Sequence, residues 1–155
     1  CFEIAKEISS QEDVFFLGRG VDYALSMEGS LKLKEISYIH SEAYPAGELK
    51  HGTISLIENG TIVVGIMSND KLAPKLLSNI KETVARGAKI LIITTDNLNM
   101  EFDFDCHKFV INKVHNILQP ILIVVPLQLI AFEVARQRGC DIDKPRNLAK
   151  SVTVE

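Results

Sequence analysis

The sequence has no tryptophan, only three cysteines and no excess of positive charge. Cys1, Cys106 and Cys140 form neither a C-x-x-C pair nor an even disulfide framework, so we expect a reducing, cytoplasmic environment. The net charge is -3 and the sequence pI is about 5.8, which argues against a nucleic-acid-binding protein. The first classes of protein to exclude are therefore disulfide-rich secreted domains and basic nucleic-acid-binding proteins.

An uninterrupted membrane-spanning run is also lacking. The longest apolar run, Ile117 to Phe132, contains two prolines and two glutamines, and a membrane span needs about 20 apolar residues. We interpret the run as a buried helix and expect no membrane partner. No signal peptide is recognisable, and the chain starts at Cys1 rather than Met and goes almost directly into a strand. We therefore expect a piece of a longer protein.

What the sequence does contain is an alternation of strand and helix patterns within a length suited to one domain. The predicted strands are Val14 to Leu17, Ile62 to Met67, Ile90 to Thr95, and Phe109 to Ile111 with its flanks. The predicted helices are Val21 to Ile39, Gly47 to Ile57, Lys71 to Arg86 and Ile117 to Arg138. This alternation predicts a three-layer α/β sandwich with a parallel sheet of nearly flavodoxin-like order. Residues 1–139 would form the domain, and residues 140–155 an irregular tail.

The turn "LGRGVDY" follows the first predicted strand. Gly18 and Gly20 could allow a phosphate to approach the start of a helix. A dinucleotide fingerprint needs a third glycine where Tyr23 stands. A tight strand-to-helix turn is the better interpretation.

The segment "EGSLKLKE" places three ionisable residues in the predicted helix that follows this turn. At about 100° per residue, Glu28, Lys32 and Glu35 fall within a narrow arc that also contains apolar residues. We therefore predict that they point to the buried side of the helix. Solvent is expected to cover the opposite side, which carries Asp22, Ser26, Ser30, Lys34 and Ser37.

Two interpretations of this arc remain open. Glu28 and Lys32 have the i,i+4 spacing of an intrahelical ion pair, which leaves Glu35 unexplained. Alternatively, apolar surroundings raise the pKa of a carboxylate toward the range of a general base, and a nearby ammonium opposes that rise.

The four histidines and the tail give weaker signals. His51, in "HSEAYPAGELKHG", could move protons near neutral pH, but a surface histidine is the simpler interpretation. Neither His40 nor His51 has a partner at a ligand-like spacing, so no metal or other cofactor is expected. His107 and His115 are interpreted as structural. In the tail, Lys150 could bind a carbonyl as a cation or a Schiff base, if apolar neighbours including Leu148, Ala149, Val152 and Val154 dock it.

Two long stretches together carry a resemblance. "EGSLKLKEISYIHSEAYPAGELKHG" and "KPRNLAKSVTVE" closely resemble the glucosamine-6-phosphate synthase family, the glutamine:fructose-6-phosphate amidotransferases. Over nearly all 155 residues the chain resembles the second of the two sugar-isomerase (SIS) subdomains in the C-terminal half. The resemblance implies a five-stranded parallel sheet. It also implies conversion of fructose 6-phosphate and glutamine-derived ammonia to glucosamine 6-phosphate.

The resemblance also implies roles for five residues. Glu35 would be the base that moves a proton from C1 to C2, with Lys32 in the same site. His51 would assist ring opening in the site of a neighbouring subunit. Lys150 would meet the sugar carbonyl, and the backbone of Ala149 would contact the substrate. We expect Lys150 and Glu35 to meet in the crevice at the carboxyl ends of the strands.

Some family features are missing from this sequence. The serine/threonine-rich loop that holds the phosphate belongs to the first SIS subdomain, and the glutaminase domain is also absent. Both would be partners, together with a second subunit in a homodimer. The alternative function is a SIS-type regulatory module that binds a sugar phosphate without catalysis. A DNA-binding regulator would be expected to add a helix-turn-helix and a basic patch, and this sequence contains neither.

Overall fold

The computed structural model describes residues 2–148 of the chain, and its centre is a five-stranded sheet in which every pairing is parallel. The strands are β1 (Asp13–Gly18), β2 (His40–Pro45), β3 (Ile62–Met67), β4 (Lys89–Thr95) and β5 (Cys106–Ile111). Their order across the sheet is β2-β1-β3-β4-β5, which is the flavodoxin-like order. The predicted α/β fold class is confirmed.

Helices cover both faces of the sheet. They are α1 (Phe2–Ser9), α2 (Val21–Ser37), α3 (Ala73–Val84), α4 (Gln119–Gln137) and two short 3₁₀ helices, Ala46–His51 and Thr53–Leu56. Side chains from α1, α2 and α4 pack in one core beneath the sheet, and those of α3 and the first 3₁₀ helix pack in a second core on the other face. The molecule is thus the predicted three-layer sandwich.

Three elements differ from the sequence-based expectation. The strand β2 was not predicted because it is a polar edge strand with only one fully buried residue, Ser41. The helix α1 precedes the first strand, where none was predicted; its eight residues bury Ile4, Ala5 and Ile8. The predicted helix from Gly47 to Ile57 is instead two 3₁₀ helices, separated at Gly52, whose φ of 143° ends the first.

The inward side of α2 is the side that the sequence pattern assigned to solvent. Its buried residues are Asp22, Leu25, Ser26, Gly29, Ser30, Leu33 and Ser37. The serine hydroxyls are satisfied locally: Ser26 donates to the Asp22 carbonyl oxygen at 2.8 Å, and Ser37 donates to that of Leu33 at 2.6 Å. The predicted orientation of α2 was therefore wrong, because these small side chains can be buried without an unpaired polar group.

The small residues of α2 allow this helix to pack unusually close to α4 and β1. A Cβ atom placed on Gly29 would lie 2.9 Å from Leu127 Cδ2 of α4 and 3.0 Å from Phe16 Cε1 of β1. Ser30 Oγ donates to the Ser41 carbonyl oxygen at 2.9 Å, and Ser41 Oγ donates back to the Ser30 carbonyl oxygen at 2.8 Å. These contacts fix α2 against α4, β1 and β2 at once.

The methyl group added in Gly29→Ala overpacks the contact with Leu127 and Phe16, which costs about 1–3 kcal/mol, whereas the higher helix propensity of alanine returns roughly 1 kcal/mol. We therefore expect the variant to destabilise the 155-residue chain by a net of about 1 kcal/mol, and by about 2 kcal/mol at most. Urea denaturation measures the difference. Lys34→Ala, at an exposed position of the same helix, is the control and should change the unfolding free energy by less than about 0.5 kcal/mol. An unchanged or increased free energy for Gly29→Ala would contradict the packing argument.

Candidate active site

The outer side of α2 carries a carboxylate–ammonium cluster. Lys32 Nζ lies 2.6 Å from Glu35 Oε2 and 3.9 Å from Glu28 Oε1. The close partner of Lys32 is therefore Glu35, at i,i+3, rather than Glu28, at the i,i+4 spacing noted in the sequence. The hydrogen bond to Glu35 raises the pKa of Lys32, so the ammonium stays charged.

This cluster is half-buried rather than enclosed. The side chains of Glu28, Lys32 and Glu35 are 37%, 32% and 28% exposed. Leu31 and Met27 on the same side of α2 are also exposed. The prediction that the three charges point into the apolar core was wrong, because the serine and glycine side of the helix occupies that position. The charges can instead meet a ligand or a second surface from outside.

Glu35 lies toward the end of α2 that is remote from the carboxyl ends of the strands. α2 starts directly after β1 and runs back along the sheet for 17 residues, or about 25 Å. Glu35 lies near the end of this path, five residues before His40 opens β2. The expectation that Glu35 faces the crevice at the carboxyl ends of the strands was wrong, because a helix that follows a parallel strand must return to the amino edge.

That crevice holds a buried carboxylate instead. Asp22 is 3% exposed and lies between β1 and β3, where the strand order reverses. It accepts hydrogen bonds from the backbone N–H of Ser68 at 2.9 Å and from its hydroxyl at 2.5 Å. Burial raises the pKa of Asp22, whereas the hydrogen bonds from Ser68 oppose the rise. Only a cavity of about 120 Å³ remains there, with Arg19 and Lys113 in its lining.

The glycines before Asp22 form a tight turn. A Cβ on Gly18 would lie 2.3 Å from the Asp22 carbonyl oxygen, and Gly20 has a φ of 60°. The tight-turn interpretation of "LGRGVDY" is confirmed. The prediction that Asp22 faces solvent was therefore wrong. The crevice was expected only from the general rule that open parallel sheets bind ligands at the carboxyl ends of their strands.

His51 lies on the opposite face of the sheet from Glu35. It ends the first 3₁₀ helix, whose Ala46 and Leu49 pack in the α3 core, whereas α2 packs in the other core. The imidazole is exposed, with Nδ1 2.8 Å from Glu48 Oε2. The structure therefore does not bring His51 together with Glu35 within one chain.

The other histidines make local contacts. His40 Nδ1 lies 2.5 Å from Asp13 Oδ1 at the start of β2, and His107 Nε2 lies 2.8 Å from Glu7 Oε1. The backbone N–H of Ile117 donates to His115 Nδ1 at 3.4 Å. Within residues 2–148, no three histidine, cysteine or acidic side chains are grouped so that they could hold a metal ion.

Arg146, in the described part of the tail, contacts the end of α2 at which Glu35 lies. Ala149 and Lys150 lie outside the described residues, as do Val152 and Val154. Residues 140–148 are irregular, as predicted, and the guanidinium of Arg146 lies 4.1 Å from the ring centroid of Tyr38. The backbone N–H of Arg146 donates to the Tyr38 hydroxyl oxygen at 2.8 Å. Tyr38 is the C-cap of α2, three residues after Glu35.

The anchor of this part of the tail is not the one expected. Leu148 was predicted to pack as an anchor, but it is 52% exposed. The contacts with Tyr38 hold the segment instead. The contact between Arg146 and Tyr38 was not predicted, because a cation–π contact between residues more than a hundred positions apart has no local pattern in the sequence.

Comparison with known proteins places this geometry in a family. The family model of the SIS domain matches residues 7–137. The chain is 55% identical over 154 residues to the glutamine--fructose-6-phosphate aminotransferase [isomerizing] of Caldanaerobacter subterraneus subsp. tengcongensis. The alignment covers 99% of this chain and 25% of that protein. For the Clostridium acetobutylicum protein of the same name, identity is 57%, with 93% of this chain and 24% of that protein covered. The chain spans about a quarter of the length of these relatives.

Solved structures agree with the sequence relatives. The C-terminal domain of glucosamine-fructose-6-phosphate aminotransferase from Francisella tularensis superimposes with a TM-score of 0.87 and is 40% identical, covering 92% of this chain and 40% of that one. Glucosamine-6-phosphate deaminase from Thermotoga maritima has a TM-score of 0.68 at 26% identity, covering 97% and 45%. The chain thus belongs to the SIS domain family and matches part of the C-terminal domain of the isomerizing glutamine–fructose-6-phosphate aminotransferases.

Proposed function

We propose that the protein containing this chain converts fructose 6-phosphate and glutamine-derived ammonia to glucosamine 6-phosphate, and that this chain supplies acid–base groups for the isomerisation. The observation that carries the proposal is the Lys32–Glu35 contact on the accessible side of α2. Both residues belong to the segment "EGSLKLKE", in a chain that is 55% identical to an isomerizing aminotransferase.

Glu35 is suited to the proton transfer. Ammonia condenses with the C2 carbonyl of the ketose to give an imine and water. The aldose then forms when a proton moves from C1 to C2 and the proton of the C1 hydroxyl passes to the nitrogen on C2. A single carboxylate can take the proton from C1 and deliver it to C2 if its oxygens lie close to both carbons. Lys32 Nζ, 2.6 Å from Glu35 Oε2, would hold the carboxylate in position for the removal of the C1 proton.

The tail would add the group that meets the carbonyl. Arg146 is held at Tyr38, the C-cap of α2 three residues after Glu35, and Lys150 follows Arg146 by four residues in the sequence. We propose that Lys150 binds the open-chain sugar carbonyl as a cation or Schiff base, and that the backbone of Ala149 contacts the substrate. In domain terms, residues 1–139 would form the SIS unit and residues 140–155 the active-site tail.

His51 would act in a different subunit. Because it lies on the other face of the sheet from Glu35, its proposed role in ring opening requires the site of a neighbouring chain. We therefore propose a homodimer in which each subunit contributes His51 to the site of its partner.

The remaining partners follow from the length of the relatives. They are about four times longer than this chain, which leaves room for a first SIS subdomain with a phosphate-binding loop and for a glutaminase domain. We propose a cytoplasmic enzyme without a cofactor. The alternative, a non-catalytic sugar-phosphate sensor, has no observation in its favour, because ligand binding alone does not require a carboxylate positioned by an ammonium.

We expect Glu35→Gln in the full-length enzyme to lower kcat by about 10²–10⁴-fold while KM for fructose 6-phosphate changes little. The amide keeps the size of the side chain but cannot accept the C1 proton. Steady-state assays of glucosamine 6-phosphate formation, with glutamine hydrolysis followed separately, measure both constants.

Glu28→Gln is the matched control for this experiment. It removes a carboxylate from the same side of α2, but one that is 3.9 Å from Lys32 rather than 2.6 Å, and its loss of kcat should be much smaller. Near wild-type turnover by Glu35→Gln, or equal losses in the two variants, would remove Glu35 from the role of base.

We further expect Lys150→Ala to lower isomerisation by roughly 10²-fold or more, as loss of a group aimed at a reacting oxygen typically does. Glutamine hydrolysis should continue, since the substitution lies outside the glutaminase domain. Lys144→Ala is the control, because Lys144 is an exposed lysine of the same tail. If the two lysine variants isomerise at comparable rates, the tail only packs and the proposed role of Lys150 is wrong.

A further inference from the structure

The buried carboxylate of Asp22 has the surroundings of a bound anion. One residue engages both of its oxygens: Oδ2 accepts the backbone N–H of Ser68 at 2.9 Å, and Oδ1 accepts the Ser68 hydroxyl at 2.5 Å. Asp22 is 3% exposed, so little water can compete for these bonds. Hydrogen bonds to an ionised acceptor are the stronger kind, and backbone N–H groups and hydroxyls are donors that hold oxyanions in proteins.

A positive charge completes these surroundings. Lys113 lines the same cavity, and its Nζ lies 3.5 Å from the Ser68 carbonyl oxygen. Its charge opposes the rise in the pKa of Asp22 that burial causes. Arg19, the other cation of the lining, donates instead to Asn79 Oδ1 of α3 at 2.8 Å. Lys113 is therefore the cation that favours the ionised carboxylate.

These groups come from three segments of the chain that meet at one edge of the sheet. Asp22 lies in the first turn of α2, Ser68 follows β3, and Lys113 follows β5. The meeting point is next to β1 and β3, where the strand order reverses. Open parallel sheets bind their ligands at this point. The crevice therefore has the donors of an anion-binding site, and the chain's own carboxylate lies among them.

A purely local role at the start of α2 does not account for this arrangement. A carboxylate in the first turn of a helix interacts favourably with the helix dipole, and it can do so while exposed to solvent. The carboxylate of Asp22 is instead buried and bonded to a residue 46 positions later in the chain. Burial of a carboxylate is costly unless donors compensate it. The donors around Asp22 thus have the character of a binding site.

We propose that the crevice of this domain is a site for a small oxyanion and that its ligand is the chain's own Asp22 carboxylate. The side chain closes the crevice to a free anion and joins the start of α2 to the loop after β3. A phosphate group carried by a sugar is thus excluded from this crevice. The proposal does not rest on the roles proposed for Glu35 or Lys150.

Chemical rescue of the full-length protein tests the proposal. Asp22→Ala removes the carboxylate, and formate is the smallest carboxylate that can replace it. Exchange of the Ser68 backbone amide is followed by mass spectrometry with electron-transfer fragmentation, in formate and in chloride of equal ionic strength. In chloride we expect this amide to exchange roughly tenfold or more faster in the variant than in the wild type, because its bond to a charged acceptor is lost. Excess formate should restore most of the protection.

Two further variants are the controls. Asp70→Ala removes an exposed carboxylate from the lining of the same cavity, and formate should not change its exchange at Ser68. Asp22→Ala combined with Ser68→Ala lacks the hydroxyl donor, so the ratio of the exchange rates in chloride and formate should be much smaller at residue 68. Equal effects of formate in the wild type and all variants would reveal a general salt effect and overturn the proposal. Fast exchange in Asp22→Ala that formate does not slow would also overturn it.

The proposal can still be refuted if Asp22→Ala does not fold in chloride. The recovery of this variant after dilution from urea is then compared in formate and in chloride, and a higher recovery in formate is expected. Equal recovery would count against an anion site.

A second measurement uses the unsubstituted protein. Its Ser68 amide should exchange at the same rate with and without inorganic phosphate, because Asp22 already engages the donors. Slower exchange in phosphate would mean that a free anion binds in the crevice, and it would overturn the proposal. None of these measurements depends on turnover. A failed role for Glu35 would therefore refute the proposed function without affecting this result, and the reverse also holds.

Discussion

The close packing of α2 against the sheet and α4 is the constraint on which the rest of the structure depends. Gly29 leaves no room for a Cβ between Leu127 and Phe16. Ser30 exchanges hydrogen bonds with Ser41 of the edge strand. With this side of the helix fixed inward, the rotation of about 100° per residue turns Glu28, Lys32 and Glu35 outward. The position of the candidate base is thus a consequence of where the smallest side chains lie.

Much of the sheet could be predicted from the sequence, and the exception has a physical reason. The strands β3 and β4 are buried on both faces over nearly their whole length, so each leaves a continuous apolar run in the sequence. The edge strand β2 reads "HSEAYP" and is mostly half-exposed. Its pairing with β1 comes from backbone hydrogen bonds, which leave no pattern in side-chain polarity.

The orientation of α2 could not be predicted from polarity because size decided it. A serine whose hydroxyl bonds to the carbonyl one turn earlier, as Ser26 and Ser37 do, has no unmet polar group. The helical spacing singled out Glu35 and Lys32, the resemblance implied their roles, and the structure added their 2.6 Å contact. The separation of His51 from Glu35 by the sheet is a tertiary fact that no spacing along the chain encodes.

Tyr38 shows how one position serves two demands that conflict. It ends α2 in the left-handed conformation, with φ of 61°, where a residue other than glycine bears a strain of about 1 kcal/mol or more. Glycine would relieve the backbone but would offer neither a ring for Arg146 nor a hydroxyl for its N–H. Backbone strain at the end of α2 is thus tolerated because the tyrosine side chain attaches a distant segment of the chain, at Arg146, to this helix.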